Sequence, residues 1–168
     1  ILDMQPEVSD RPNALPFRGF TNEIRFNNIW FAYTSGRPVL RAVNLRVVPG
    51  SITAIVGSSG AGKSTLMSLL LRLFDPDRGS ITIDGVDLRE FRIDSLRKNI
   101  AIALQEDVLF GMTVRQNICY AKPDATNEQV EEVLRVACLS TSMEELPDGL
   151  NTMLGDRGGR LSAGQRQR

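Results

Sequence analysis

The chain has 168 residues, of which 42% are hydrophobic and 24% are charged. This composition is typical of one globular domain with a sizeable core, and it excludes disordered and fibrous classes. Its 20 Lys and Arg residues balance its 20 Asp and Glu residues, so the overall charge favours neither nucleic acid nor an anionic membrane surface.

Two cysteines, Cys119 and Cys138, form neither a CxxC pair nor a metal-binding spacing. We therefore expect reduced thiols in a reducing compartment. No apolar run approaches the ~20 residues of a membrane span, and no signal peptide is evident. The chain opens on Ile1 and stops at Arg168 without a turn or cap, so we expect an excerpt from a longer polypeptide.

Residues 1–21 contain three prolines and no sustained periodicity, which predicts an extended linker from an upstream domain. From residue 22 onward we expect a partial globular domain. Apolar residues between 24 and 31 predict a strand pair or a bulged strand, and the alternation through 39–47 predicts a partner strand. Together these patterns predict an antiparallel sheet.

The β-branched run 52–56 predicts a short buried strand, and the apolar residues 66–74 predict a buried helix that ends before Asp75 and Pro76. A glycine-rich loop joins the two. Its residues are Gly57, Ser58, Ser59, Gly60, Ala61, Gly62, Lys63, Ser64 and Thr65.

This loop has the residue types that phosphate binding requires. Glycines let the backbone wrap phosphates, and the loop amides and the helix N-terminus supply positive potential. Lys63 is predicted to contact the β- and γ-phosphates, Ser64 to coordinate Mg²⁺, and Thr65 to bind near the α-phosphate. The alternative, a glycine-rich turn with an incidental lysine, is disfavoured by the strand–loop–helix order.

Downstream, Ile81 and Ile83 predict a strand ended by a turn at Asp84 and Gly85, so we expect a βαβ-type core. Residues 88–99 predict a polar connection or short helix, and residues 100–104 a buried strand that ends at Gln105. Beyond it, a capping box at Thr126 and apolar residues at helical spacing predict a small α-helical subdomain from about residue 106 to 168.

Residues 161–168, with the sequence LSAGQRQR, resemble the LSGGQ signature of ABC (ATP-binding cassette) ATPases, at that family's distance from the phosphate loop. Further matches are the 109–114 stretch and residues 152–158, which resemble the Q-loop surroundings and the X-loop of exporters. The resemblance covers nearly the whole chain after residue 21. It implies an α/β fold: a P-loop NTPase core of ABC type with an N-terminal antiparallel β subdomain and an inserted helical subdomain, incomplete at the C-terminus.

The resemblance also implies roles for individual residues. Tyr33 matches the aromatic residue that stacks on adenine, and Gln105 matches the Q-loop glutamine that helps arrange Mg²⁺ and the attacking water. From the residues alone, Tyr33 could equally be a core aromatic and Gln105 a polar strand end.

In the family, two such domains close head to tail around ATP. The resemblance therefore implies that Ser162, the Gly164 amide and Gln165 contact ATP held by the phosphate loop of a second nucleotide-binding domain. Ser162 followed by Gln165 is also a capping box, and the two interpretations are compatible.

Several features depart from the family pattern. Ala163 replaces the first glycine of the signature pair, which costs about 1 kcal/mol or more if that position needs a positive φ. Met153 stands where exporters often carry a glutamate. The Walker B carboxylates are missing, as is the switch histidine, since the chain has no histidine. We therefore expect these 168 residues alone to be inactive as an ATPase.

Residues 102–107 are an alternative Walker B segment, but a glutamine stands where the metal-side aspartate belongs. The arginines at 157, 160, 166 and 168 lack interleaved aromatics, so no nucleic-acid partner is expected.

The resemblance implies the ATP- and Mg²⁺-dependent ATPase domain of an exporter-type half transporter. It would be joined to transmembrane helices of the same transporter, on the cytoplasmic face of a membrane such as the bacterial inner membrane. A soluble ABC-type ATPase acting on DNA or other macromolecules, and a non-hydrolysing nucleotide-binding module, are the alternatives.

Overall fold

The computed structural model describes residues 8–103, 109–155, 159 and 161–168. The chain divides into two compact units, Ile1–Ala101 and Ile102–Arg168. We call them the sheet unit and the helical unit. No helix in the described ranges has both the length and the apolarity that crossing a membrane requires.

The sheet unit is built on the predicted antiparallel sheet. Its described strands are β1 (Ile24–Phe31), β2 (Leu40–Val47), β3 (Arg78–Ile83) and β4 (Val86–Asp87), in the order β2-β1-β3-β4. Both neighbours of β1 run antiparallel to it. The prediction of this sheet, and of the tight turn between β3 and β4, is confirmed.

Strand β1 is one bulged strand, which is the second of the two alternatives that the spacing of its apolar residues allows. Phe26 and Ile29 are both buried although three positions separate them, and the pairing with β2 and β3 shifts register between them. Asn28, at the bulge, has a φ of 50°. Side chains alternate between the two faces of a strand, and the extra residue of the bulge shifts this alternation by one. The apolar side chains on both sides of the bulge therefore face the same core.

Helix α1 (Lys63–Leu70) follows the glycine-rich loop and packs Leu66 and Leu69 into the core below the sheet. It ends earlier than residue 74, so that prediction is wrong. Arg72 has a φ of 52°, a left-handed conformation that cannot continue an α-helix. Its side chain, 2% exposed, donates to the carbonyls of Phe91 and Ser9.

Two predicted buried strands are absent from the described residues. Residues 52–56 form no strand, and Ile52 and Val56 are 100% and 90% exposed. Residues 100–103 also form no strand, and Ile102 is 47% exposed. A β-branched apolar run becomes a strand only where a neighbour takes its backbone N–H and C=O groups. Among the described residues neither run has a strand partner, and the Ile100 amide donates instead to the Arg97 carbonyl, a turn bond three residues back.

The described part of the predicted linker, residues 8–21, packs within the sheet unit. Leu15 forms a parallel bridge with Phe91, and Phe17 is 7% exposed with its ring edge-on to Phe91. The Phe17 amide donates to the Ser95 hydroxyl at 2.9 Å. Ser95 lies on α2 (Ile93–Lys98), which follows the 3₁₀ turn Leu88–Glu90. Whether residues 1–21 connect to an upstream domain stays a prediction.

The helical unit consists of short helices around one apolar cluster. Its described elements are α3 (Val114–Ile118), α4 (Asn127–Val136), α5 (Ser140–Glu144), a 3₁₀ turn Gly149–Asn151 and α6 (Ala163–Gln167). Val130 and Leu134 of α4 are buried together with Met143 and Leu154. Thr126 and Gln129 form both bonds of the predicted capping box.

Candidate nucleotide site

The glycine-rich loop leads into helix α1 with its lysine at the first helical position. Lys63 Nζ donates to the Gly57 and Ser58 carbonyl oxygens, at 2.8 Å each. The ammonium is therefore held at the concave side of its own loop. A phosphate oxygen is a better acceptor for an ammonium than a neutral carbonyl, so a phosphate group can take over these bonds.

Two glycines of the loop have backbone conformations that favour glycine. Gly60 has a φ of 79° and Gly62 a φ of 88°. A Cβ on Gly62 would lie 2.7 Å from Leu40 Cδ2 and 3.3 Å from the Val39 carbonyl oxygen. The start of strand β2 therefore supports the loop from behind, and only a residue without a side chain allows that close approach.

The two hydroxyl residues after Lys63 lie in different environments. Ser64 is exposed, whereas Thr65 is 5% exposed. Thr65 Oγ1 lies 3.3 Å from the Tyr33 hydroxyl, which donates to it. Among the described residues, no group of three or more His, Cys, Asp and Glu side chains could hold a metal ion. Of the two residues predicted to help bind magnesium, Ser64 lies at the start of α1, and the phosphates would supply further oxygen ligands.

Tyr33 is 54% exposed and lies just beyond the end of β1. Phe31 and Phe74 each meet its ring nearly edge-on, with centroid distances of 4.9 and 5.2 Å and interplanar angles of 85° and 86°. Tyr33, predicted from the sequence to stack on adenine, and Thr65, predicted to contact phosphate, thus lie within hydrogen-bonding distance of each other.

Sequence reasoning missed the residues that support this ring. Phe74 and Asp77 follow helix α1, where the local pattern indicates only a helix stop. The Asp77 carboxylate accepts the Ala32 amide at 2.9 Å, and the Asp77 amide donates to the Trp30 carbonyl at 2.9 Å. No spacing in the sequence indicates these contacts, since 45 residues separate Ala32 from Asp77.

Gln105 falls in 104–108, outside the described residues, and so do residues 104–107 of the alternative Walker B segment 102–107. The same applies to Arg157 and Arg160. Of the remaining arginines of that cluster, Arg166 donates to the Leu161 carbonyl and Arg168 to the Cys138 carbonyl.

The signature-like segment opens helix α6 in the helical unit. Ser162 and Gln165 form both bonds of a capping box, with Ser162 N to Gln165 Oε1 at 2.7 Å and Gln165 N to Ser162 Oγ at 3.2 Å. Ala163 is the first helical residue, so its Cβ is accommodated without left-handed strain. Gly164 is exposed, and a Cβ there would meet no atom within 4 Å.

The fold and the glycine-rich loop define a P-loop NTPase core of ABC type, and comparison with known proteins places it within one family. The ABC transporter family model matches residues 40–168. The chain belongs to the ABC transporter family.

Its curated relatives include a flippase and a multidrug resistance protein. The chain is 44% identical over 168 residues to the ATP-dependent lipid A-core flippase of Desulfotalea psychrophila, covering 100% of this chain and 29% of that protein. It is 42% identical over 174 residues to the multidrug resistance protein pgp-1 of Caenorhabditis elegans, covering 100% of this chain and 13% of that protein.

A solved structure, that of a bacterial Atm1-family ABC exporter with ATP bound, is also similar. It is 38% identical and superposes with a TM-score of 0.92 over 98% of this chain and 29% of that one. The chain thus spans less than a third of each of these three proteins.

Proposed function

We propose that this chain is the ATP-binding part of an ABC exporter, which couples ATP binding and hydrolysis to transport across a membrane. The observation that carries the proposal is the position of Tyr33. Its hydroxyl bonds to Thr65, two residues after the lysine of the phosphate loop, so a ring suited to a nucleobase lies beside a loop suited to its phosphates. The exporter relatives favour this function over a soluble ATPase that acts on DNA.

Each group has a distinct task in binding Mg-ATP. Lys63 moves its ammonium from the Gly57 and Ser58 carbonyls to the β- and γ-phosphates. The Ser64 hydroxyl orients the metal side of the triphosphate, and Tyr33 stacks on adenine. Bound Mg²⁺ supplies positive charge that offsets the charge of the phosphates. We also propose that Gln105 helps to arrange the metal and the attacking water.

We further propose that the full-length protein works as a head-to-tail dimer of nucleotide-binding domains joined to transmembrane domains, on the cytoplasmic face of a membrane. Ser162, the Gly164 amide and Gln165 then contact the γ-phosphate side of ATP bound to the partner domain. The open space around Gly164 supports this. A Cβ at that position would meet no atom of the described chain within 4 Å, so packing within the chain gives no reason for glycine there. A partner's nucleotide supplies such a reason.

Hydrolysis needs further groups. The chain contains no histidine that could contact the γ-phosphate. Because positioning and charge stabilisation supply nearly all catalysis in phosphoryl transfer, we propose that these 168 residues bind ATP without steady turnover.

The test is ATP turnover and Mg-ATP affinity of the full-length protein reconstituted in lipid vesicles. We expect turnover in the wild type and none in Lys63→Ala, together with loss of ATP binding. Equal ATP affinity in wild type and Lys63→Ala would contradict the proposed site. Steady ATP turnover by the 168-residue chain alone would contradict the proposal that it binds ATP but needs further groups for hydrolysis.

A further inference from the structure

We propose that Asp77 and Phe74 are positioning residues for Tyr33 and thereby set the affinity of the site for the nucleobase. This inference rests on the proposed function, in which Tyr33 stacks on adenine. It assigns a task to the segment between helix α1 and strand β3, which the phosphate-binding chemistry does not use.

The backbone before Tyr33 leaves the sheet at the end of β1 and needs another support. The Phe31 carbonyl accepts the Val39 amide at 2.8 Å. Beyond it, the Ala32 amide donates to the Asp77 carboxylate, and the Trp30 carbonyl accepts the Asp77 amide, each at 2.9 Å. Asp77 therefore holds the strand end on both sides of Phe31 and fixes the point from which the Tyr33 side chain departs.

The ring of Tyr33 is then braced by two other rings. The ring planes of Phe31 and Phe74 are each nearly perpendicular to the ring plane of Tyr33. The centroids of the two phenylalanine rings are 5.6 Å apart. Edge-to-face contacts prefer one relative orientation. Tyr33 nevertheless remains 54% exposed, so a large part of its ring is free to contact a planar ligand. The three rings form a platform, which we call the aromatic platform.

The aromatic platform and the phosphate loop are carried by one stretch of chain. Lys63 is at the start of α1, and Phe74 lies four residues after its last residue, Leu70. The hydrogen bond from Tyr33 to Thr65 connects the aromatic platform directly to the start of α1. Both the base and the phosphates would thus be positioned relative to the same helix, which lowers the entropy lost when a nucleotide binds.

The distinguishing measurement compares Mg-ATP with Mg-tripolyphosphate, which has the phosphates but no base. Calorimetry on the full-length protein gives the dissociation constant of each. We expect Asp77→Ala and Phe74→Leu to weaken ATP binding about three- to tenfold, the size of one aromatic contact, and to leave tripolyphosphate affinity unchanged. Asp77→Asn keeps an oxygen acceptor for the Ala32 amide and should restore ATP affinity. Asp124→Ala, which removes another exposed carboxylate, is the matched control.

A double-mutant cycle makes the test specific to Tyr33. In a Tyr33→Ala background, Asp77→Ala should cause no further loss of ATP affinity, because the ring that it positions is gone. An additive loss, or an equal loss of tripolyphosphate affinity, would show a general structural role and overturn the inference. Unchanged ATP affinity in Asp77→Ala would also overturn it while leaving the proposed function intact. A wild type that binds neither ligand would reject both.

Discussion

The Tyr33 hydroxyl donates a hydrogen bond to Thr65 Oγ1 across 3.3 Å. The bond links a half-exposed ring to a buried threonine at the start of helix α1. Since its length exceeds the 2.7–2.8 Å that is usual between hydroxyls, we regard it as an orienting contact rather than a major source of stability.

The first prediction separates the ring of Tyr33 from its hydroxyl. Tyr33→Phe keeps the stacking surface and removes only the contact with Thr65, so ATP affinity should fall by no more than about threefold. Tyr33→Ala removes the surface itself and should cost about tenfold or more. Calorimetric titration of the full-length protein with Mg-ATP compares the two. Equal losses would show that the hydroxyl, not the ring, holds the nucleotide.

Lys63→Ala gives the second prediction. Charge-assisted bonds to phosphates contribute about 1.5–3 kcal/mol each, and Lys63 can direct two bonds as it does to Gly57 and Ser58. ATP and tripolyphosphate affinity should therefore both fall by about a hundredfold or more. Lys122→Ala is the matched control, because Lys122 bonds to Gln129 in the helical unit. A similar loss in both variants would indicate a nonspecific charge effect.

Several elements follow from local patterns in the sequence, although the end of α1 at Leu70 does not. The alternation in β2, the bulge in β1, the capping boxes and the turn at Asp84 each depend on a few consecutive residues. The predicted strand at 52–56, and the described residues 100–103 of the one predicted at 100–104, form no strand, because a strand also depends on a neighbour. The phosphate loop carries its own signature, whereas the support of Tyr33 by Asp77 joins positions 45 residues from one another along the chain.

A third prediction distinguishes capping from nucleotide contact at the signature. Ser162 with Gln165 and Thr126 with Gln129 form the same two-bond capping box. Ser162→Ala and Thr126→Ala should therefore destabilise the protein by a similar amount, about 0.5–2 kcal/mol. Only Ser162→Ala should abolish ATP turnover. The phosphate loop in the same chain as the substitution should still be labelled by ATP, because Ser162 is proposed to contact the nucleotide of the partner domain. The measurements are thermal unfolding, ATPase rate and photoaffinity labelling of the full-length protein.

If Thr126→Ala loses turnover as completely as Ser162→Ala, the effect belongs to helix stability, and Ser162 has no special contact with nucleotide. Full turnover in Ser162→Ala would equally contradict the role proposed for the signature.

Two glycines with nearly equal positive φ values give the fourth prediction. Gly79 and Gly85 have φ values of 85° and 83°. A Cβ on Gly79 would lie 2.3 Å from the Asn27 carbonyl oxygen, whereas a Cβ on Gly85 would meet nothing within 4 Å. Gly85→Ala should cost about 1–2 kcal/mol from the left-handed conformation alone. Gly79→Ala should cost about 1–3 kcal/mol more, because β3 must move away from the β1 bulge.

Thermal unfolding of the full-length protein measures both glycine variants. Because Gly79 lies two residues after Asp77, its substitution should also weaken ATP binding more than tripolyphosphate binding. Equal destabilisation in the two variants would show that the close approach of β3 to β1 relaxes without cost.

The last prediction concerns Asp84 in the turn after β3. Its carboxylate accepts the amides of Thr21, Asn22 and Glu23 at 2.7, 2.8 and 2.9 Å. These bonds lower the pKa of Asp84 from 3.8 to about 2, and the bond from the Thr21 amide has the largest effect. A carboxylate with a depressed pKa stabilises the folded state above its unfolded pKa, and this contribution is lost as the pH falls through the folded value. Asp84 should therefore hold residues 21–23 at neutral pH and release them between about pH 4 and 2.

Hydrogen–deuterium exchange in peptides that cover residues 21–23 of the full-length protein, corrected for the intrinsic effect of pH, measures this release. Asp84→Asn is the matched variant, because asparagine also tolerates the left-handed φ of 50° at this position. We expect it to exchange faster than the wild type at pH 7, since a neutral acceptor bonds amides less strongly than a carboxylate. Its corrected exchange should not change between pH 4 and 2. A wild type whose protection is equally insensitive to pH in that range would show that other contacts, not Asp84, fix this segment to the sheet.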